Sequence, residues 1–185
     1  MQRHACQQGI GLIEVMVAVT LLSIAVLGYG ALQLRAMNAS QQAMQNIQAM
    51  NLARDLAERM RINRAGFGFY QTYAQQDSSN SFASSSHKAC AAAMDETMQQ
   101  AGEFCSAQQM AQYDIQQVKQ KAAALAMRVA ILDCPNIQLK RQCIYVAWGE
   151  TEPNDGDKAK DCTQGAAYRM RSNCIFMEAF NSEGV

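Results

Sequence analysis

Proline is nearly absent from the chain, with two residues in 185, and tryptophan and histidine number only one and two. So little proline leaves few enforced breaks and favours long helices. Two histidines, His4 and His87, leave little material for imidazole chemistry. His87 sits in a serine-rich stretch with no G-x-S-x-G elbow nearby, so a Ser-His-Asp or Cys-His arrangement has no support. No Walker A or dinucleotide fingerprint occurs either. Net charge is missing as well, because 16 basic residues offset 16 acidic ones. That balance gives no field pointing to nucleic acid or to acidic lipid. These absences exclude most enzyme classes, and no catalytic residue and no cofactor is expected.

Cysteine is what the chain has in quantity. Cys6 precedes an apolar run, and Cys90, Cys105, Cys134, Cys143, Cys162 and Cys174 follow it. If the start stays in the cytoplasm while the remainder is exported, those six can oxidise and Cys6 cannot. Six cysteines allow fifteen pairings. Cys134 and Cys143 flank a turn between two expected strands, so sequential pairing is easy there. The same local logic gives Cys162–Cys174 and Cys90–Cys105. Zinc is disfavoured because no pair has C-x-x-C spacing. "EPNDGD", residues 152–157, lacks the D-x-[DN]-x-[DN]-G spacing of a calcium loop and reads as a polar turn. No metal is expected.

Val15 to Leu34 are twenty residues without a charge, bracketed by Arg3 and His4 before and Arg35 after. As a helix at ~1.5 Å per residue they match the ~30 Å hydrocarbon core of a bilayer. A cleaved secretory signal would be shorter and would end at a small-residue site. Here "LRAMNASQQAMQNIQAM" continues as helix instead, so the segment reads as retained.

Residues 36–62 keep the helical signal, with Arg54–Glu58 and Asp55–Arg59 as i,i+4 pairs. Met37, Met44 and Ile47 lie near one face, while Leu52, Leu56 and Met60 progress to another. Either the helix is weakly amphipathic, or one face meets a domain and the other meets neighbouring subunits. "RAGFGFYQTY" (64–73) ends it, with Gly66 as the expected cap. "QQDSSNSFASSS" reads as a loop, and "CAAAMDETMQQAGEFC" as a short helix stapled at its ends. Ser106 with Gln109 fits a capping box for a further helix whose apolar face is Met110, Val118, Ala122, Leu125 and Val129. Beyond residue 126, "MRVAILDC", "CIYVAWGE" and "CIFMEAF" are rich in β-formers and suggest a three-stranded antiparallel sheet. The fold class is α+β: a long N-terminal helix laid on a small disulfide-stapled antiparallel sheet.

One residue sits oddly in the apolar run. "QQGIGLIEVMVAV" places Glu14 where a carboxylate costs about 2.5–3.5 kcal/mol at a membrane centre. Gly9 followed by "IGLIEV", with the retained helix and the C-terminal sheet, resembles a type IV pilin precursor. The resemblance implies cleavage after Gly9 by an inner-membrane prepilin peptidase, methylation of the new N-terminus at Ile10, and Glu14 as the glutamate at the fifth mature position. Two positions depart from the commonest pattern: Ile10 stands for Phe or Met, and Gly11 for Thr or Ser. In that family the helices bundle into a filament core, where Glu14 would pair with the terminal amine of an adjacent subunit. The bland alternative is a glutamate that snorkels to the interface. Gly28 and Gly30 are common membrane-helix residues or sites of local weakening, and both readings can hold.

The run "GLIEVMVAVTLLSIAVLGYGALQLRA" is most similar to PilV-type minor pilins, and Trp148 and Glu150 before a cysteine-bearing loop fit loosely. The resemblance implies a leader at 1–9, a transmembrane or filament-core half-helix at 10–34, an amphipathic half at 35–63 and a periplasmic head at 64–185. It also implies a place in the inner membrane and then the pilus, beside other minor pilins, the major pilin and a tip adhesin, with twitching and adhesion as outcomes. An I-class pseudopilin of type II secretion is the nearest rival. A membrane-anchored periplasmic binding or enzymatic domain is the rival of another class.

Overall fold

The computed structural model describes residues 11–76, 90, 105–135, 141–165 and 167–179. Helix α1 covers Leu12–Ile62, a 3-10 turn covers Arg64–Gly66, α2 covers Phe67–Gln75 and α3 covers Ala107–Ala124. Six strands follow: β1 Met127–Asp133, β2 Gln142–Trp148, β3 Glu152–Asp155, β4 Asp161–Gln164, β5 Ala167–Tyr168 and β6 Cys174–Ala179. The chain divides into two compact units, Met1–Gln45 and Asn46–Val185.

In the second unit, the sheet β1-β2-β6 is wholly antiparallel, with Ile131 opposite Ile144 and Ile144 opposite Met177. Alternation along each strand sends side chains to two faces. Ile131, Ile144, Val146 and Trp148 join a core with Leu52, Leu56 and Met60 of α1, Tyr70 of α2, and Ile115 and Val118 of α3. On the other face Tyr145, Ala147 and Phe176 gather around Cys134, Cys143, Cys162 and Cys174. Every residue of β2 is buried because both faces are covered. The stripe that α1 contributes, Ala49, Leu52, Ala53, Leu56 and Met60, repeats at 3 and 4, the period of a helix face. Ile47 is left 58% exposed.

The capping box forms as the sequence indicates: Ser106 accepts from the Gln109 backbone N–H and Gln109 reaches back to the Ser106 N–H. Four other expectations need correction. Gly66 does not cap α1 in a left-handed conformation, having φ −93. It is instead a close approach, since a Cβ there would strike the Ala107 carbonyl oxygen and the Asn63 side chain. The helix closes with the Asn63 N–H on Arg59 O, and α2 then starts at Phe67, inside the stretch expected only to end α1. Glu58 pairs with Arg61, at i+3, instead of Arg54.

The buried face of α3 is Ala111, Asp114, Ile115, Val118 and Ala122. Met110 is half-buried, Leu125 is 39% exposed and Val129 already belongs to β1. The helix stops at Ala124 because the chain reverses at Ala126, in the left-handed region at φ 54, on its way into β1.

The polar stretch after β2 is a second sheet, β3-β4-β5, and not merely a turn. Side chains hold it together. Asp161, 3% exposed, accepts from the Lys158 N–H and from Asn154 Nδ2, and Thr163 Oγ1 donates to Asp155 Oδ1 at 2.6 Å. The expected stapled helix of 91–104, most of the serine-rich loop and His87 lie outside the described residues.

Candidate functional site

Glu14 lies in the first turn of α1, where its N–H and that of Val15 both bond to Gly11 O. An acidic side chain there meets the positive end of the helix dipole. From Leu12 to Leu34 the large apolar side chains are 50% or more exposed, and the segment is apolar and long enough to cross a membrane. Its hydroxyls are satisfied within the helix, Thr20 on Val17 O and Ser23 on Val19 O. Glu14 is different: among the described residues no hydrogen bond or ion pair holds its carboxylate. A lone carboxylate in an exposed apolar helix is costly to place in hydrocarbon. Gly9 and Ile10 lie outside the described residues.

A second polar cluster lies in the larger unit, and apart from the Asp55–Arg59 pair its spacing along the chain does not announce it. Arg59, near the end of α1, donates from Nε to Asp55 Oδ1 at 2.8 Å and from Nη1 to Asp114 Oδ1 at 2.7 Å. The hydroxyl of buried Tyr70 donates to Asp114 Oδ2 at 2.6 Å, and Lys121 donates to Asp55 Oδ2 at 2.8 Å. Asn63 Nδ2 bonds the Ala107 carbonyl, at the start of α3. The array pins the end of α1 to α2 and α3 through directional, charge-assisted bonds.

Burial alone would raise the Asp55 carboxyl, but the hydrogen bonds from Lys121 and Arg59 outweigh it and hold it below the usual carboxylate value. Burial, and after it the Asp114 carboxylate, pushes the Tyr70 phenol well above its ordinary value. Asp114 itself occupies one position of an otherwise apolar stripe at helical spacing, and that was the only available signal for it.

Cys134 is bridged to Cys143, Cys162 to Cys174 and Cys90 to Cys105, with Cα–Cα distances of 5.0, 5.8 and 5.6 Å. The first staples the turn end of the β1–β2 hairpin. The second ties β4 to β6 and so joins the two sheets. No group of three or more metal-ligating side chains occurs among the described residues.

A protein-family model described as the prokaryotic N-terminal methylation motif matches residues 4–29. A second, described as type IV pilin Tt1218 (Tt1218-like), matches residues 31–116, so that together they span more than half of the chain. The chain is a type IV pilin. Searches of curated proteins and of solved structures return no match. The α+β architecture agrees with the assignment, with a long N-terminal helix whose C-terminal part packs on a small antiparallel sheet. As a pilin the chain is a structural subunit, processed by a prepilin peptidase and assembled with other pilins. The apolar half-helix fits membrane anchoring before that assembly. Its outward-facing apolar surface is what a filament core can bury, and the unpaired carboxylate of this pilin lies within it.

Proposed function

We propose that this pilin is a minor subunit of the PilV type that helps to initiate type IV pilus assembly. The leader ends at Gly9, the peptidase cuts before Ile10, and Ile10 is then methylated. The chain waits in the inner membrane as a single span with its head in the periplasm, then enters the pilus at the cell surface. Glu14 docks on the terminal amine of an adjacent pilin and fixes its register. In a dry filament core a paired charge is strongly favoured over an unpaired one. The single observation that carries the reading is Glu14, without a partner among the described residues, in an exposed apolar helix and inside the methylation-motif match.

Three local bridges support the minor-subunit assignment over a major pilin, which usually bears one C-terminal disulfide loop. The match to a type IV pilin along 31–116 favours the pilus over a type II secretion pseudopilin. Support of twitching motility and adhesion, beside other minor pilins, the major pilin and a tip adhesin, follows from that place.

Mass spectrometry of the mature chain tests the cut: a start at N-methylated Ile10 is expected, and an intact Met1 overturns it. Glu14→Ala should still be exported and cleaved but be depleted from sheared filaments. Normal incorporation of that variant removes the docking role.

A further inference from the structure

The turn between β5 and β6 exposes an apolar side chain in a way that packing does not explain. Met170 is 95% exposed, more than any other large apolar side chain in the described residues, and Tyr168 beside it is 52% exposed. Such residues are ordinarily single and harmless on a surface. Here the backbone beneath them is held from several sides. The Arg169 side chain turns inward, donating to Gly156 O at 3.3 Å and to Asp157 O at 2.7 Å, while its N–H bonds Cys162 O. Ser172 donates to Arg169 O from both its N–H and its hydroxyl. The Tyr168 ring packs on Phe176 at 5.1 Å, and its hydroxyl accepts the Phe176 N–H. The Cys162–Cys174 bridge closes the base.

Arg171 adopts φ 66, a left-handed conformation that costs a non-glycine residue about 1–2 kcal/mol. Glycine would remove that strain. The arginine kept in this strained place is exposed and has no acidic partner among the described residues.

We infer that Tyr168, Met170 and Arg171 form a preorganised docking tip for a protein surface that offers an apolar pocket rimmed by carboxylates. Met170 enters the pocket, Tyr168 covers its edge, and Arg171 pairs with the rim. Tyr, Met and Arg are the residue types enriched where interfaces concentrate their energy. A turn already locked in its bound shape loses little entropy on association. An anionic membrane fits less well: basic residues contribute about 1 kcal/mol each at such a surface, and recognition there uses clusters of cations. Among the described residues the tip has one available cation, because Arg169 is occupied by backbone carbonyls. That the partner is another pilus subunit rests on the function proposed above.

The test places the photo-crosslinker p-benzoylphenylalanine at position 170 of the full chain, in cells that make pili, with the same residue at exposed Ile62 as control. Illumination should give one discrete protein adduct from position 170 and not from 62. The captured peptide should carry Asp or Glu beside apolar residues. Arg171→Lys should keep the adduct. Arg171→Gly, which relieves the backbone, should lower its yield by roughly tenfold, and Arg171→Glu by more. A lipid adduct, the same adducts from 62 and 170, or yields indifferent to Arg171 overturn the tip. Chains present in sheared filaments but lacking the adduct overturn the tip and leave the filament role standing. A discrete protein adduct on chains that never enter filaments supports the tip while overturning the filament role.

Discussion

Replacing Asp114 by alanine tests whether the polar array or the apolar stripe fixes α1 to the head. The carboxylate is nearly buried and accepts two short bonds, from Arg59 at 2.7 Å and from Tyr70 at 2.6 Å. Each bond to a charged group contributes about 1.5–3 kcal/mol. Two features reduce the sum. Arg59 keeps Asp55, and its side chain is 28% exposed, so water partly compensates. The Tyr70 hydroxyl keeps only a long 3.4 Å contact to Arg59 O and is otherwise left with a donor, Asn63. The net cost of Asp114→Ala is then about 3 kcal/mol, within the range for breaking one side of a buried pair. Asp114→Asn keeps the shape and one acceptor, and should cost about half as much.

Trp148, the sole tryptophan and 5% exposed, reports unfolding of this unit by fluorescence in the detergent-solubilised full chain. With a urea slope of about 1.5 kcal/mol/M, the alanine variant should lose about 2 M in midpoint. A change below about 0.5 kcal/mol, or an asparagine variant as damaged as the alanine one, refutes the reasoning. It would mean that Leu52, Leu56 and Met60 alone seat the helix.

Stability should be level between about pH 4 and pH 10, and lost on both sides. Asp55 is held below the ordinary carboxylate value, so its contribution is present above that range and fades as pH falls through the folded value. Tyr70 is raised above 10.0, so its contribution is present below that pH and fades on the alkaline side; Tyr70→Phe should flatten the alkaline limb of the same Trp148 measurement. Gly66→Ala should cost about 1–3 kcal/mol by overpacking, because the new methyl displaces the contact of Asn63 with Ala107 O; unchanged stability would show that the loop yields freely. The double variant Cys134→Ser, Cys143→Ser should lose about 2–3 kcal/mol, since the bridge closes a loop of sequence separation 9; a smaller loss would place the β1–β2 pairing beyond need of it.

The parts of this molecule that were legible are those in which period and burial agree. β1, β2 and β6 carry β-branched and aromatic residues because both sheet faces are covered, and the Ser106 box announces its helix directly. The second sheet was hidden because Asp155, Asp161 and Thr163 stabilise it by side-chain hydrogen bonds, in residues whose composition is that of a turn. Helix α2 was hidden because Gly66, which reads as a helix end, is there for close approach to Ala107 and Asn63. Asp114 reads as a solvated position until Arg59 and Tyr70 arrive from other elements, and only tertiary structure brings them there. Glu14 is conspicuous for the opposite reason: a charge stands out most where nearly everything else is apolar.

None of the three bridges among the described residues involves α1. A pull along that helix therefore reaches the head through the main chain at Asn63 and through packing, with no disulfide to share it. Resistance comes from sliding the row from Ala49 to Met60 over its bed, with the bonds of Asp55 and Arg59 strained at the same moment. Contacts loaded side by side must yield together, so this anchorage behaves as a friction joint, while the disulfides keep the block on which it slides from deforming.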